Sequence, residues 1–349
     1  MNQPFRVGIS HDFSTDARGR YEDAVASILG NAQHIEVELM PPAPDDLPSA
    51  EVLNQYDAIL ALATRVDARN LSGVTRLALV SRWGVGYDRI DTAALTQHGV
   101  ALSITPNSVR RPVAEAAIAM VMASSLNLVR QHQTVEQGAW RGALPRLGRN
   151  IAGRTLASLG FGNIAREMFR MAQSMGFSRL LAHDPYAKPE DAALLGVELV
   201  SIEDLFAEAD YLCVHCLLND STRGLVRRQY LELMKPTAHI INTARGPIIN
   251  EADLAEALAK GTIAGAALDV FEIEPLPPDA PIRRAPNVIL APHGMAWTEE
   301  LARDNSLESA TNILNLSRGQ APSSIVNREV LTHPEFLSKL ERFQRTYAR

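Results

Sequence analysis

Lysine is nearly absent from this chain. Only Lys188, Lys235, Lys260 and Lys339 occur among 349 residues, and arginine carries the rest of the positive charge. A lysine-centred mechanism therefore has few candidates. Cysteine is scarcer: Cys213 and Cys216 form a lone C-x-x-C. A redox or zinc role needs a helix N-terminus or a second ligand pair, and these two sit in Asp210–Cys216, which reads as a buried strand. Residues three apart on a strand point to opposite faces, so the pair reads as structural and no metal site is expected. So few thiols suit a reducing cytoplasm. A basic excess is also missing. The net charge of −6 argues against a nucleic-acid footprint. Long apolar runs are lacking too: Met1 to Arg20 has no apolar leader segment. Val113 to Val129 is the longest apolar stretch, but it carries Glu115, Ser124, Ser125 and Asn127. It is too short and too polar to span a bilayer, and reads as a buried helix; no membrane partner is expected.

What is present is a globular composition, 46% hydrophobic and 21% charged, in a chain long enough for two domains. Strand candidates in the first third are Phe5–Ser10, Asp57–Ala63 and Leu77–Ser81. Near residue 108 the pattern changes. Pro112 is tolerated in the first turn of a helix, and a long apolar helix is expected to follow it, then a polar loop from Gln131 to Asn150. Beyond, strands and helices alternate: strands at Thr155–Leu159, Leu180–His183, Asp210–Cys216, His239–Asn242, Ile263–Asp269 and Val288–Ala291. The helix Glu251–Lys260 is closed by Gly261, and Ser201-Ile-Glu-Asp204 reads as a capping box. Such alternation implies a parallel sheet with helices on both faces. A final helix, Thr298–Arg318, is expected to return to the first domain.

Between the strand at Thr155–Leu159 and a helix from Asn163 lies Gly160-Phe-Gly-Asn-Ile-Ala165, a G-x-G-x-x-A turn. Gly160 permits the tight turn, and Gly162 lets the backbone approach a pyrophosphate. Ala165 keeps helix and sheet close. The helix N-terminus offers N–H groups and partial positive charge to phosphates. Asp184, at the end of the next strand, is where the dinucleotide fingerprint expects an acidic residue for the ribose hydroxyls. A carboxylate there repels the 2′-phosphate of NADP, so NAD is the expected cofactor.

Several further segments, in order, make the chain resemble the D-isomer-specific 2-hydroxyacid dehydrogenases, the family of phosphoglycerate, glycerate and D-lactate dehydrogenases. They are Arg82-Trp-Gly-Val-Gly-Tyr-Asp88, Thr105-Pro-Asn107, Pro112-Val-Ala-Glu115, Ile241-Asn-Thr-Ala-Arg-Gly-Pro247, Ala267-Leu-Asp-Val-Phe-Glu-Ile-Glu-Pro275 and Ala291-Pro-His293. The resemblance implies a doubly wound Rossmann NAD-binding domain over residues 109–295. A smaller flavodoxin-like α/β substrate domain would be built from 1–108 and 296–349, with a cleft that closes for hydride transfer. It implies that Arg245 holds the substrate carboxylate and polarises the carbonyl, that His293 is the general acid–base, and that Glu274 pairs with His293. It further assigns Asp269, Thr243 and Ala244 to the nicotinamide, Asn163 and Ile164 to the pyrophosphate, and Val85 and Gly86 to the substrate carboxylate. The implied reaction moves a hydride between nicotinamide and a small D-2-hydroxy or 2-keto acid. The implied assembly is a homodimer on the long apolar helix.

Three departures from the family pattern stand out. His215-Cys-Leu-Leu218 lacks the proline of the family's H-x-P-L turn. Ala61-Leu-Ala-Thr64 replaces the polar turn of the phosphoglycerate enzymes, which argues against a phosphorylated substrate. His293-Gly-Met-Ala-Trp297 puts bulk beside the histidine and suggests a narrower, more apolar pocket. Two other functions fit the same fold. One is an NAD(H)-sensing scaffold of the co-repressor kind. The other, formate dehydrogenase chemistry, carries glutamine where Glu274 stands, and Glu274 argues against it.

Overall fold

The structure, a computed structural model, describes residues 3–347. The chain divides into two compact units, Met1–Val109 with Thr298–Arg349, and Arg110–Trp297.

The first unit is built on a parallel sheet of β1 (Phe5–Ile9), β2 (Ile35–Leu39), β3 (Ala58–Ala61), β4 (Leu79–Arg82) and β5 (Ala101–Ser103), in the order β2-β1-β3-β4-β5. This is the flavodoxin-like order. The central strand β3 is buried throughout, as expected of a strand covered on both faces. The edge strand β2 is mostly exposed, and its Ile-Glu-Val-Glu-Leu alternation gave no continuous apolar run to mark it in sequence. The last helix, Pro334–Tyr347, packs Phe343 edge-on against Phe5 at 5.0 Å. It also buries Lys339, whose ammonium donates to the carbonyls of Leu77 (2.7 Å), His98 and Gly99 (both 3.2 Å).

The second unit holds β6 (Thr155–Leu159), β7 (Arg179–His183), β8 (Val197–Leu199), β9 (Tyr211–Val214), β10 (His239–Asn242), β11 (Gly265–Leu268) and β12 (Val288–Leu290). Their order is β12-β11-β10-β9-β6-β7-β8, all parallel. The order reverses beside β6, the switch point where doubly wound sheets bind ligands. Two apolar layers sandwich the sheet. Leu212, Val214 and Ile240 face one, and Cys213, Tyr211 and Ile241 the other. Cys213 therefore points into one layer while Cys216 packs on the opposite one, and both thiols are free. Burial pushes the Cys216 thiol up to about 12, which leaves it inert as a nucleophile.

Three local expectations are corrected. The long helix begins at Pro106 rather than at Pro112, and Pro112 lies inside it. Pro106 takes the tolerated first-turn place, and Pro112 removes one internal hydrogen bond. The expected loop from Gln131 opens in a helix, Leu128–Glu136, set off from its predecessor by Asn127 in the left-handed conformation at φ 53°, which asparagine tolerates. At Ser201 only half of the capping box forms. The Ser201 hydroxyl accepts from the Asp204 N–H at 3.0 Å, while the Asp204 carboxylate accepts from that same hydroxyl rather than from the Ser201 N–H.

No single helix among the described residues is long and apolar enough to cross a membrane. The helices Pro106–Ser125 and Leu128–Glu136 are long and apolar enough only when taken together, across a bend of 59°.

Candidate active site

The carboxyl ends of β10, β11 and β12 lie side by side, and each delivers one ionisable group. Arg245 follows β10, Asp269 follows β11, and His293 follows β12. Glu274 comes from the loop after β11. The Nδ1 of His293 lies 2.8 Å from Oε2 of Glu274. The other carboxylate oxygen, Oε1, accepts from the Phe271 N–H at 2.9 Å. A carboxylate only accepts, so Nδ1 is the donor and carries a proton, and Nε2 is left to exchange one. Burial pushes the Glu274 carboxyl up. The hydrogen bond and charge of His293, the Phe271 N–H and the Arg245 charge outweigh it and hold the group below its ordinary value.

Asp269 braces the histidine from the other side. Its Oδ1 accepts from the Gly294 N–H at 2.9 Å, and both oxygens lie 3.2 Å from the Met295 nitrogen. His293 itself has φ +53°, an uncommon backbone for a non-glycine residue, so the segment needs such an anchor. Burial raises the Asp269 carboxyl above its ordinary value, against the pull of these two N–H groups. The expected nicotinamide ligand is thus also a structural clamp.

Arg245 is set by Asn242, a residue the motif reading passed over. The Asn242 amide donates to the Arg245 carbonyl and accepts from the Ala244 N–H, both at 3.0 Å. Gly246 then passes so close to the loop after β11 that a Cβ there would meet the Phe271 carbonyl carbon at 1.8 Å. Glycine is what lets the Arg245 turn and the Glu274 loop touch. Beside them the Thr243 hydroxyl is shielded from solvent and has no hydrogen-bond partner among the described residues, as befits a group reserved for a ligand.

The glycine motif forms the turn it predicts. Gly160 has φ +101°, and a Cβ there would come within 2.7 Å of the Cys216 nitrogen. Gly162 caps the helix Asn163–Ala172 without any side-chain cap, and a Cβ on it would meet nothing within 4 Å. The first-turn N–H groups at Asn163 and Ile164 make no hydrogen bond among the described residues, as groups that receive a pyrophosphate must. Ala165 is fully buried. Asp184 accepts from the Phe161 N–H at 2.8 Å and from the Tyr186 N–H at 2.9 Å, so it fixes the glycine turn as well as standing where a ribose is expected. Ser158 and His215 underlie the turn: the Ser158 hydroxyl donates to the Gly160 carbonyl at 2.6 Å and lies 3.0 Å from the His215 Nδ1. Burial pulls the His215 pKa down to about 4, so its ring is neutral. In sequence it stood only as the first residue of the His215-Cys-Leu-Leu218 turn, at a strand's carboxyl end, with no role attached.

Val85 and Gly86 lie in the first unit, in the turn after β4. Among the described residues their N–H groups make no hydrogen bond. The turn is held from behind by Arg82, whose Nε donates to the Gly86 carbonyl at 2.8 Å and whose Nη1 reaches the Ala61 carbonyl at 3.4 Å. The sequence reading assigned Arg82 no task.

Residues 118–294 match the model of the D-isomer specific 2-hydroxyacid dehydrogenase NAD binding domain. A glyoxylate reductase of Korarchaeum cryptofilum is 34% identical over 308 residues, covering 86% of this chain and 92% of that protein. The Aeropyrum pernix glyoxylate reductase is 37% identical over 284 residues, 79% of this chain and 84% of its own. Among solved structures, an NADPH-dependent glyoxylate/hydroxypyruvate reductase from Sinorhizobium meliloti, in complex with NADP and malonate, superposes with a TM-score of 0.80. It is 27% identical and covers 94% of this chain and 98% of its own. The chain belongs to the D-isomer specific 2-hydroxyacid dehydrogenases, two-domain oxidoreductases that act on CH–OH donors with NAD(P).

Proposed function

We propose that this chain reduces small 2-keto acids of the glyoxylate kind to D-2-hydroxy acids, with NADH as reductant. The observation that carries the reading is the His293–Glu274 pair at 2.8 Å, on strand ends adjacent to the one that delivers Arg245. In this reading the Arg245 guanidinium grips the substrate carboxylate and polarises the keto oxygen. Val85 and Gly86 keep the substrate-binding assignment that the family resemblance implies for their N–H groups. His293 gives a proton from Nε2 to the developing alkoxide, and Glu274 stabilises the imidazolium that precedes this step. In oxidation the same Nε2 removes the proton.

The residues fit a dinucleotide: open space over Gly162, uncapped N–H groups at Asn163 and Ile164, and an unpartnered Thr243 hydroxyl. Bound there, the nicotinamide supplies or takes up the hydride. Thr243, Ala244 and Asp269 would line its ring. Asp184 supports NAD over NADP. Its position one strand beyond the glycine turn is the one the dinucleotide fingerprint gives to the ribose-binding acid, and Lys188 is the first basic residue to follow it. The Sinorhizobium relative is described with NADP, so the proposed NADH preference rests on this chain's own turn.

The substrate domain is assigned to residues 1–108 and 296–349, and the NAD domain to 109–295. A homodimer on the Pro106–Ser125 helix is supported by exposed Leu126, Leu128, Val135, Trp140 and Leu147 in the segment that continues from it, an apolar surface that a monomer has little reason to present. A cytoplasmic enzyme is consistent with both thiols being free.

The test is turnover of glyoxylate, hydroxypyruvate, pyruvate and bulkier 2-keto acids with NADH and with NADPH. Reduction of the smaller acids, faster with NADH, is expected. NADH binding without turnover across the whole panel would replace this reading with that of an NAD(H)-sensing scaffold.

A further inference from the structure

We propose that Glu251 and Glu272 are positioning residues for the acid–base pair: clipped to each other, they fix the loop that carries Glu274 against the segment that carries Arg245. The inference rests on the reading just given, in which Glu274 and His293 handle the proton.

The two glutamates are joined twice. The Glu272 carboxylate accepts from the Glu251 N–H at 2.9 Å, and the Glu251 carboxylate accepts from the Glu272 N–H at 3.3 Å. Glu251 opens the helix Glu251–Lys260, and the first N–H groups of a helix have no carbonyl a turn earlier to bond. Asn250 accepts from the Asp253 N–H at 2.9 Å. The Glu251 N–H is left over, and its acceptor comes from a separate loop, 21 residues further along the chain.

That loop is the one that delivers Glu274. Arg245 and Glu251 stand at the two ends of one short segment, Arg245-Gly-Pro-Ile-Ile-Asn-Glu251, with Ile248 and Ile249 buried in its middle. The Glu274 loop meets this segment at both ends. Gly246 lies so close to the Phe271 carbonyl that no Cβ fits, and Glu251 is bonded to Glu272. A single contact would leave the loop free to swing about it. Two adjacent residues held at separate points fix its direction. Glu274 follows at once, with Oε1 on the Phe271 N–H at 2.9 Å and Oε2 2.8 Å from the His293 Nδ1. Between Glu272 and Glu274, Ile273 is exposed and its N–H makes no hydrogen bond among the described residues, so it adds no anchor of its own.

Electrostatics points the same way. Burial raises the Glu251 carboxyl above its ordinary value, and the Glu272 charge adds to this, against the pull of the Glu272 N–H. Like charges brought together disfavour one another, so what the pair yields is placement through its two N–H bonds. The charges that act on Glu274 itself are those of His293, Arg245 and Asp269, and the clip sets how Glu274 meets them.

The experiment measures kcat, KM for glyoxylate, the pH profile of reduction and NADH affinity in wild type, Glu272→Ala, Glu272→Gln and Glu251→Ala. Thermal melting checks folding, and Glu274→Gln runs beside them. Glu272→Ala should lower kcat about tenfold, since small misplacements of reacting groups are costly. It should also move the alkaline limb to lower pH, because a displaced Glu274 holds the proton on the pair less firmly. KM and NADH affinity should change less than about threefold, since Arg245 keeps its Asn242 brace and the glycine turn is untouched. Glu272→Gln retains an acceptor for the Glu251 N–H and should restore most of the rate and the profile. Glu251→Ala removes the longer of the two bonds and should show a smaller change in the same direction; no change there removes Glu251 from the role. A slower Glu272→Ala whose alkaline limb stays in place, or a Glu272→Gln as slow as the alanine variant, overturns the proposal. If Glu274→Gln moves the profile while Glu272→Ala matches the wild type, this proposal alone falls. If the Glu274→Gln profile does not move, the reading beneath it falls as well.

Discussion

The Asp269 carboxylate accepts the Gly294 N–H at 2.9 Å and so fixes the residue directly after the histidine that is paired with Glu274. Replacing Asp269 with alanine frees both the Gly294 and the Met295 N–H groups, and His293, at φ +53°, loses what holds it there. A fall of about a hundredfold in kcat is expected for Asp269→Ala, because a small misplacement of an acid–base group has effects of that order. Asp269→Asn keeps one acceptor oxygen and should retain more of the rate. Steady-state kinetics and NADH binding by fluorescence check this. Equal kcat in the two variants would count against the clamp.

Glu274→Gln keeps a hydrogen-bonding side chain opposite His293 and removes its charge. Glu274 is held below the ordinary carboxylate value, so it is ionised throughout the neutral range, and its contribution to stability is present above that ordinary value. The contribution is lost only as the pH falls through the lowered one. Without the charge, the pair gives up its proton more readily. The alkaline limb of the reduction profile should therefore move to lower pH, with kcat at neutral pH down by about tenfold or more. A pH–rate profile that does not move would remove Glu274 from the acid–base pair.

Gly246→Ala puts a methyl group 1.8 Å from the Phe271 carbonyl carbon. That neighbour is backbone and cannot rotate away, so the two loops must part. A loss of about 3 kcal/mol or more in stability is expected, with activity lost further than stability because Arg245 and Glu274 lie on the separated loops. Calorimetry and kinetics together measure both.

Lys339 gives the first unit a pH response of its own. Burial pulls its pKa down to about 8, whereas the unfolded chain binds that proton up to the ordinary lysine value. Between those values the unfolded state holds more protons, so stability from this site rises with pH through that window. Lys339→Met removes the dependence. The melting temperature of the wild type relative to the variant should climb between pH 7 and pH 10, and a constant difference would show that the amine stays protonated on its three carbonyls.

Much of the fold was legible because its signals are local. The helix Glu251–Lys260 with its left-handed Gly261 cap was readable to the residue, and β10 at His239–Asn242 equally, since a cap, a turn and an unbroken apolar run are properties of neighbouring side chains. Pro112 misled for the same reason: a proline states what it tolerates, and whether Pro106 begins the helix earlier depends on what the helix packs against. β5 and β8, three residues each, carry too little pattern to be seen before a neighbouring strand pairs with them.

For the site, sequence by itself determined the chemical inventory: a glycine turn with Asp184 beyond it, and an arginine, a glutamate and a histidine in family order. Only the tertiary structure decided that His293 meets Glu274 through Nδ1, that Asp269 and Asn242 brace the two loops, and that Arg82 holds the turn carrying Val85 and Gly86. Motif spacing records which groups a strand end delivers. Which groups then touch depends on the order of strands in a sheet, and that order is set by the burial of both faces at once, a quantity no stretch of adjacent residues contains.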